Sequence, residues 1–477
     1  MRPPNEVPVA VIGAGPVGLA AAAHLVARDL PVRLYEAGGS VAANVRDWGH
    51  VRLFSPWGFN TDAASIALLR RHGWQAPPSD VLPTGDDLVA AYLEPLARTP
   101  ELRDAIRTNS RIRHLARDGI DKVVTHGRAR HPFALTVENG SGKTRVDLAR
   151  AVIDASGTWQ NPNPLGASGI AAIGETQARH RIAYGIPDVL HAARAAYAGK
   201  RVLVVGGGHS AANALLDLAR LADSGGDVEL TWAVRSTNLA RILGGGAADK
   251  LAARGQLGAE LKHLVESGRL TLVLGFSALR VDETAAGVTV AGRTPAEEVA
   301  IGPFDHIIVA TGLRPDLEMT RELRLDLDPW LECPRALGPL IDPNLHSCGS
   351  VRPHGHKVLA HHEPGYFTVG IKSYGRAPTF LMATGYEQVR SIVAHLAGDH
   401  AAADKVELVL PETGVCSATY LKELAAQQSC CGGPAISPAD ACCSEDEIAK
   451  AEGKDGCGCG PTADVQPAKA SACCEPA

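Results

Sequence analysis

Two glycine clusters carry the first chemistry in this chain. Gly13-Ala14-Gly15-Pro16-Val17-Gly18 follows a short apolar run, Val9 to Ile12, and opens an alanine-rich stretch from Leu19 to Ala27. Glycine at the first place permits a tight turn, at the second it lets a phosphate meet bare backbone, and at the third it lets helix and strand pack closely. The N–H groups of the new helix then face that phosphate. The next apolar run, Val32 to Tyr35, ends in Glu36, an acid able to accept a hydrogen bond from a ribose hydroxyl. Strand, turn, helix, strand and acid in this order predict a dinucleotide site at Gly13, Gly15, Gly18 and Glu36.

Gly206-Gly207-Gly208-His209-Ser210-Ala211 repeats the pattern after the run Val202 to Val205, with Ala211 in the third place. The helix expected over Ala211 to Leu221 leads to a strand, Val228 to Val234, followed by Arg235 instead of an acid. A guanidinium pairs with a 2′-phosphate that a carboxylate would repel. NADPH is therefore expected over NADH, on Gly206, Gly208, Ala211 and Arg235. The plainer alternative for Arg235 is a solvated strand-end residue.

Each unit also closes alike. Ala151 to Asp154 runs into Ala155-Ser156-Gly157-Thr158, and His306 to Val309 into Ala310-Thr311-Gly312. Ser156, Gly157, Thr311 and Gly312 are accordingly expected beside the cofactors. After a Pro-, Gly- and His-rich stretch, Tyr366 to Gly370 reads as one more strand. Pro378 to Ala397 reads as a helix with Pro378 in its first turn and Gly398 just past its end. If the chain here returns to its first domain, that helix N-terminus near Pro378 would favour negative charge on a reduced flavin by ~0.3–1 kcal/mol. Lys372, Ser373, Tyr374 and Arg376 would crowd the approach. A surface helix with a basic loop is the alternative.

These elements predict an α/β chain of two Rossmann-like dinucleotide-binding domains. The FAD-binding domain is expected over 1–165 and 319–400, with an NAD(P)-binding domain, 166–318, inserted in it. An acidic, Cys-rich segment, 401–477, is expected to be a flexible tail. Composition agrees: of 477 residues, 45% are hydrophobic and 21% charged, enough apolar material for large cores. The net charge of −5 is concentrated from Ala401 onward, where 12 acidic residues face 5 basic ones. The basic stripe of a nucleic-acid binder is missing. Val7 to Ala27 is nearly uncharged, but Gly13, Gly15, Pro16 and Gly18 interrupt it, and Arg2 is the only basic residue before it. It reads as a buried strand entering a helix, not as a leader or membrane span, and the protein is expected in the cytoplasm.

Cysteine is distributed oddly. None of the 11 precedes Cys333, and nine lie between Cys416 and Cys474. A disulfide-stapled secreted fold would spread them through its body. Cys430-Cys431, Cys442-Cys443 and Cys473-Cys474 are vicinal pairs, and Cys457-Gly458-Cys459 is nearly one. Soft thiolates select thiophilic ions, so the three pairs are candidate ligands for trivalent arsenic or antimony. They lack structural zinc spacing, and a ring between neighbours strains a disulfide. Low-complexity drift is the alternative. Cys348, among His346, His354, His356, His361 and His362, reads as a small buried residue more readily than as a ligand.

Two glycine fingerprints, each closed by a Ser/Thr-Gly turn, resemble the flavin-containing monooxygenases and the pyridine-nucleotide disulfide reductases from about Val7 to Gly398. A disulfide reductase needs a flavin-side cysteine pair, which this body lacks. The runs from Gly199 to Gly208 and from Trp48 to Trp57 resemble the monooxygenase branch, although Arg181 to Pro187 stands where that branch's FxGxxxH signature belongs. Leu331 to Gly355 and the Lys-Ser-Tyr-Gly-Arg-Ala-Pro-Thr-Phe run from Lys372 resemble the flavoprotein monooxygenases of bacterial arsenic-resistance operons. The resemblance implies FAD, NADPH, oxygen and a small soft nucleophile such as a trivalent arsenical, with the hard chemistry supplied by the flavin. Two other readings stand beside it: an NADPH-dependent reductase whose tail relays electrons or metalloid, and a non-catalytic metalloid- or redox-binding flavoprotein.

Overall fold

The structure, a computed structural model, describes residues 7–243, 252–345, 353–378 and 380–408. The cysteines from Cys416 to Cys474, including Cys430, Cys431, Cys442, Cys443, Cys473 and Cys474, lie outside the described residues, as do Cys348 and His346.

The first lobe opens with strand β1 (Val9–Ile12), helix α1 (Pro16–Val26), strand β2 (Val32–Tyr35) and helix α2 (Ala63–Arg71). Strand β3 (Ile106–Arg107) precedes a meander of β4 (Ser110–Arg117), β5 (Phe133–Asn139) and β6 (Thr144–Ala149), and β7 (Ala151–Asp154) follows. The second lobe holds β8 (Ile182–Tyr184), β9 (Arg201–Val205), helix α3 (His209–Leu221), β10 (Glu229–Ala233), helix α4 (Ala252–Glu266) and β11 (Thr271–Val273). A second meander, β12 (Ser277–Thr284), β13 (Gly287–Arg293) and β14 (Glu298–Phe304), leads into β15 (His306–Val309). The chain then returns with β16 (Tyr366–Thr368), α5 (Met382–Leu396) and α6 (His400–Asp404).

Two five-stranded sheets result, ordered β16-β7-β1-β2-β3 and β11-β10-β9-β15-β8, and every pairing in them is parallel. The central strands β1, β7, β9 and β15 are short and almost wholly buried, covered on both faces as central parallel strands are, whereas the edge strands β3 and β11 are partly exposed. Helix α1 is buried along nearly its whole length, from Val17 to Leu25, and packs on both α2 and α5. Its His24 bonds Asp62 at 2.9 Å, and Asp62 in turn caps α2 by accepting from the Ser65 N–H at 2.8 Å. Burial alone would raise the Asp62 pKa, but the His24 contact and the Ser65 bonds outweigh it and hold the carboxyl below its usual range.

The two antiparallel meanders had no counterpart in the sequence reading. The first packs Leu115, Phe133, Leu135 and Val137 onto the first sheet at Ala10, Ile12 and Val152. Its far end is pinned by Glu363, wholly buried, which accepts from Arg117 Nε at 2.7 Å and Arg128 Nη2 at 2.7 Å. Helix α5 begins four residues later than expected. Pro378 is exposed and lies outside it; Leu381, the N-cap, is still extended at φ −115° and ψ 142°. Phe380 explains the delay, since its ring packs edge-on against Tyr374 with centroids 5.2 Å apart and anchors the preceding segment before the first helical turn. At the other end Gly398, at φ +80°, closes the helix as expected.

Candidate functional site

The Gly13 turn sits where β1, α1 and β7 meet. Gly13 has φ +94°, and a Cβ on it would stand 2.6 Å from the Ala155 carbonyl oxygen. On Gly18 a Cβ would stand 1.8 Å from the Gly13 carbonyl oxygen. Both positions therefore exclude side chains by contact with the protein itself. Gly15 is different: its backbone is ordinary (φ −81°), and an added Cβ would meet nothing within 4 Å. As N-cap of α1 it brings no capping side chain, so the first-turn N–H groups face that space. A cradle that the protein leaves open beside a helix N-terminus fits a pyrophosphate.

Glu36 follows β2 and is nearly buried. Its Oε2 accepts from the Ala14 N–H at 2.9 Å and its Oε1 from the Gly38 N–H at 2.8 Å. The acid thus fastens the glycine turn to β2, and each carboxylate oxygen keeps a second lone pair for a ribose hydroxyl.

The Ser156-Gly157 turn forms the opposite wall. The Ser156 hydroxyl donates to Asp154 Oδ1 at 2.7 Å, and the Ser156 N–H reaches the same atom at 3.1 Å. Gly157 takes φ +73°. Asp154, fully buried, enters the sequence analysis only as the end of a strand, and nothing there joins it to Lys372. Lys372, expected to crowd the approach to the flavin, is 1% exposed, and its Nζ lies 2.8 Å from Asp154 Oδ2 and 3.0 Å from Ser156 Oγ. Ser373 and Tyr374 are buried as well, and Arg376 pairs with Glu332 at 2.8 Å. These residues brace the return segment. The Tyr366 hydroxyl also donates to Asp154 Oδ2, at 2.9 Å. Burial raises the Asp154 pKa less than Lys372 and Ser156 lower it, so the carboxylate stays ionised.

The second fingerprint repeats the geometry. Gly206 has φ +139°, and its Cβ would be 2.2 Å from the Ala310 carbonyl oxygen; around Gly208, the N-cap of α3, a Cβ would meet nothing within 4 Å. Ala211 is fully buried where Gly18 stands in the first lobe. Trp232 of β10, unread in the sequence, props the turn by donating to the Gly206 carbonyl at 2.8 Å. Arg235 is exposed just beyond β10, with Nη1 3.2 Å from the Ala167 carbonyl, and can receive an anion on its other N–H groups. Thr311 donates to the Asn163 and Pro164 carbonyls at 3.0 and 3.2 Å, so its side chain secures the segment between the lobes. Gly312, at φ +95°, receives the Asn163 N–H on its carbonyl. Of the Trp48 to Trp57 stretch, Phe54 crosses to the second lobe, its ring centroid 5.2 Å from that of His209 at the start of α3.

Two parallel sheets, each ending in an open glycine cradle at a helix N-terminus, define a protein that holds two dinucleotides. A family profile for pyridine nucleotide-disulphide oxidoreductases matches residues 10–332, and the chain belongs to that family. It is accordingly a flavin-dependent oxidoreductase that uses FAD and a pyridine nucleotide. Ferredoxin–NADP reductase 1 of Cupriavidus taiwanensis is 30% identical over 188 residues, which is 39% of this chain and 44% of that protein. The chain thus aligns with less than half the length of this curated relative. Among solved structures, the bacillithiol disulfide reductase of Bacillus cereus superposes with a TM-score of 0.61 at 18% identity, covering 82% of this chain and 99% of that one. The FAD-bound cadaverine monooxygenase of Erwinia amylovora gives 0.59 at 13%, covering 86% and 98%. A variant flavin monooxygenase of Stenotrophomonas maltophilia gives 0.51 at 22%, covering 82% and 98%. At these identities the likeness is one of fold. No helix among the described residues is long and apolar enough to cross a membrane.

Proposed function

We propose that this protein is an NADPH-using flavoprotein monooxygenase of the cytoplasm, acting on a small soft nucleophile such as a trivalent arsenical. Apart from the return segment that supplies β16, α5 and α6, both dinucleotide folds are built from residues before Cys333, where the sequence has no cysteine at all. Cys333 itself is fully buried, and burial, with Asp328 nearby, pushes its thiol up to about 12, far from a reactive thiolate. The stretch before Cys333, which holds both glycine turns and nine of the ten strands of the two parallel sheets, therefore offers no cysteine pair for a flavin-side dithiol relay. When bound, FAD would supply the electron transfer and oxygen chemistry.

The chain's own residues do the holding. Gly13, Gly15, Gly18, Glu36, Ser156 and Gly157 would bind FAD in a domain taken as 1–165 and 319–400. Gly206, Gly208, Ala211 and Arg235 would bind NADPH in a domain taken as 166–318, with Thr311 and Gly312 shaping its edge. The vicinal cysteines of the 401–477 segment would concentrate a trivalent metalloid near the flavin by tethering. The assay is oxygen uptake and NADPH consumption in air with and without arsenite. Arsenite-dependent oxygen uptake supports the reading; NADPH oxidation without oxygen uptake overturns it.

A reductase reading keeps one supporting fact, the fold likeness to a bacillithiol disulfide reductase. Removing residues 416–477 distinguishes the two. A reductase that relays electrons through its tail loses turnover at saturating substrate, whereas the monooxygenase loses activity only when substrate is scarce.

A further inference from the structure

The buried Asp154–Lys372 pair asks for a reason. Ionised groups are costly to bury, and apolar residues of similar size commonly serve a core as well or better. This molecule contains its own control. In the second lobe β15 takes the place of β7, and Val309, paired with Val205, stands where Asp154 pairs with Ile12. Val309 is a buried apolar residue, and its sheet and its following Thr311-Gly312 turn form without any ion pair at that place. The architecture does not require the charges; something particular to the first lobe does.

Three groups of bonds show what the pair holds. Asp154 Oδ1 takes both donors of Ser156, and Oδ2 takes Tyr366 and Lys372. Lys372 then closes a ring by reaching Ser156 Oγ at 3.0 Å. Behind it, the Gly370 N–H donates to Gln388 Oε1 of α5 at 2.8 Å, and Gln388 Nε2 donates to Ser373 Oγ at 2.9 Å. Ile371 lies 3.9 Å from the place a Gly157 Cβ would occupy. The ammonium thus ties the Ser156-Gly157 turn, the wall that nearly touches Gly13, to the return segment.

We infer that Lys372 is a positioning residue for FAD: with Asp154 it fixes the Ser156-Gly157 wall of the Gly13–Gly18 cradle and so sets how tightly the flavin is kept. The inference rests on the FAD assignment to that cradle. Lys372→Met alone leaves Asp154 charged and unpaired in the core, which costs stability as well as flavin. The Asp154→Asn/Lys372→Met double variant removes both charges while an amide oxygen still accepts from Ser156.

The test measures the FAD release rate from the purified holoprotein, by flavin fluorescence after dilution, beside its melting temperature. The expected result is a double variant that melts within a few degrees of the parent yet releases FAD at least ~10-fold faster, because the link from Lys372 to Ser156 is gone, 10-fold corresponding to about 1.4 kcal/mol. Release at the parental rate overturns the inference and leaves the pair a fold element. A double variant that does not fold overturns it equally. If the single variant fails to fold, the double variant decides alone. A parent chain that binds no FAD would sink the cofactor assignment itself, a separate failure.

Discussion

The two lobes are the same construction carried out with different side chains. Strand β1 matches β9, β2 matches β10, β3 matches β11, β7 matches β15, and a three-stranded meander interrupts each at the same point. Gly13 and Gly206 both take left-handed φ against a carbonyl, and Gly15 and Gly208 both open on empty space. Where geometry alone decides, the lobes agree. They part in charge at Glu36 against Arg235 and Asp154 against Val309, and in the closeness of turn and helix at Gly18 against Ala211. Differences on a shared backbone are thus a better guide to function here than the shared glycines.

That comparison can be broken most sharply at Gly15 and Gly208. Each tolerates a side chain as far as the protein is concerned, so Gly15→Val and Gly208→Val should both fold and melt within a few degrees of the parent. The first should purify colourless, with flavin below about a tenth per chain, since its side chain fills the pyrophosphate's place. The second should stay yellow and lose NADPH-driven flavin reduction. Flavin retained in the first, or lost in the second, would undo the assignment of cofactors to lobes.

Arg235 against Glu36 is the next test. Arg235→Ala should raise KM for NADPH by about 10–100-fold, as for a lost charge-assisted phosphate pair, and leave KM for NADH nearly unchanged. Steady-state kinetics with both nucleotides decide it, and parallel changes would make Arg235 a structural residue.

Acid should separate the lobes. Asp62 and Asp154 belong to the first lobe, and both are held below their usual pKa. Groups depressed in the folded state stabilise it above the unfolded value, about 3.9, and that contribution disappears as pH falls through the lower folded value. Melting followed from pH 6 down to 3 should therefore be nearly flat at first and drop below about pH 4, with flavin release accompanying the drop. Asp305 in the second lobe is also lowered, to about 2 beside Arg201, but it is only partly buried, so solvent screens the pair and it contributes less than the fully buried Asp154. The smallest effect belongs to Ala211→Gly, a helix substitution worth about 1 kcal/mol. Gly18→Ala should cost clearly more, because its new methyl must push the Gly13 carbonyl aside.

What was legible in the sequence follows the same division. The strands Val9 to Ile12, Val32 to Tyr35, Ala151 to Asp154 and His306 to Val309 stand at their expected limits, because parallel strands buried on both faces announce themselves as apolar runs stopped by glycine. The meanders were silent. Strand β14 alternates exposed and half-buried residues from Glu298 to Pro303, and β6 is mostly exposed, so neither offers an apolar run to read. The burial of Lys372 has no local signal, because a lysine is nearly always solvated and its partner lies 218 residues away in sequence. Pro378 has a helix-starting residue type, but the anchoring of Phe380 is tertiary. Trp232 and Glu363 carry no local signal of the partners that fix them.

The strand order also governs the order in which this protein can come into being. The second sheet takes all its strands from Ile182 to Val309, one continuous stretch, whereas the first is flanked on one edge by β16, whose Tyr366 to Thr368 must find Val152 to Asp154 across more than two hundred intervening residues. A chain emerging from the ribosome therefore has the materials for its second lobe while its first still lacks an edge strand and the helix behind it. The first lobe's cradle walls, Asp154 and Lys372 among them, meet only after the nucleotide lobe's sheet strands have all been made. Contacts of such high sequence separation tend to form late, so the pairing of β16 with β7 is expected to complete the first lobe last.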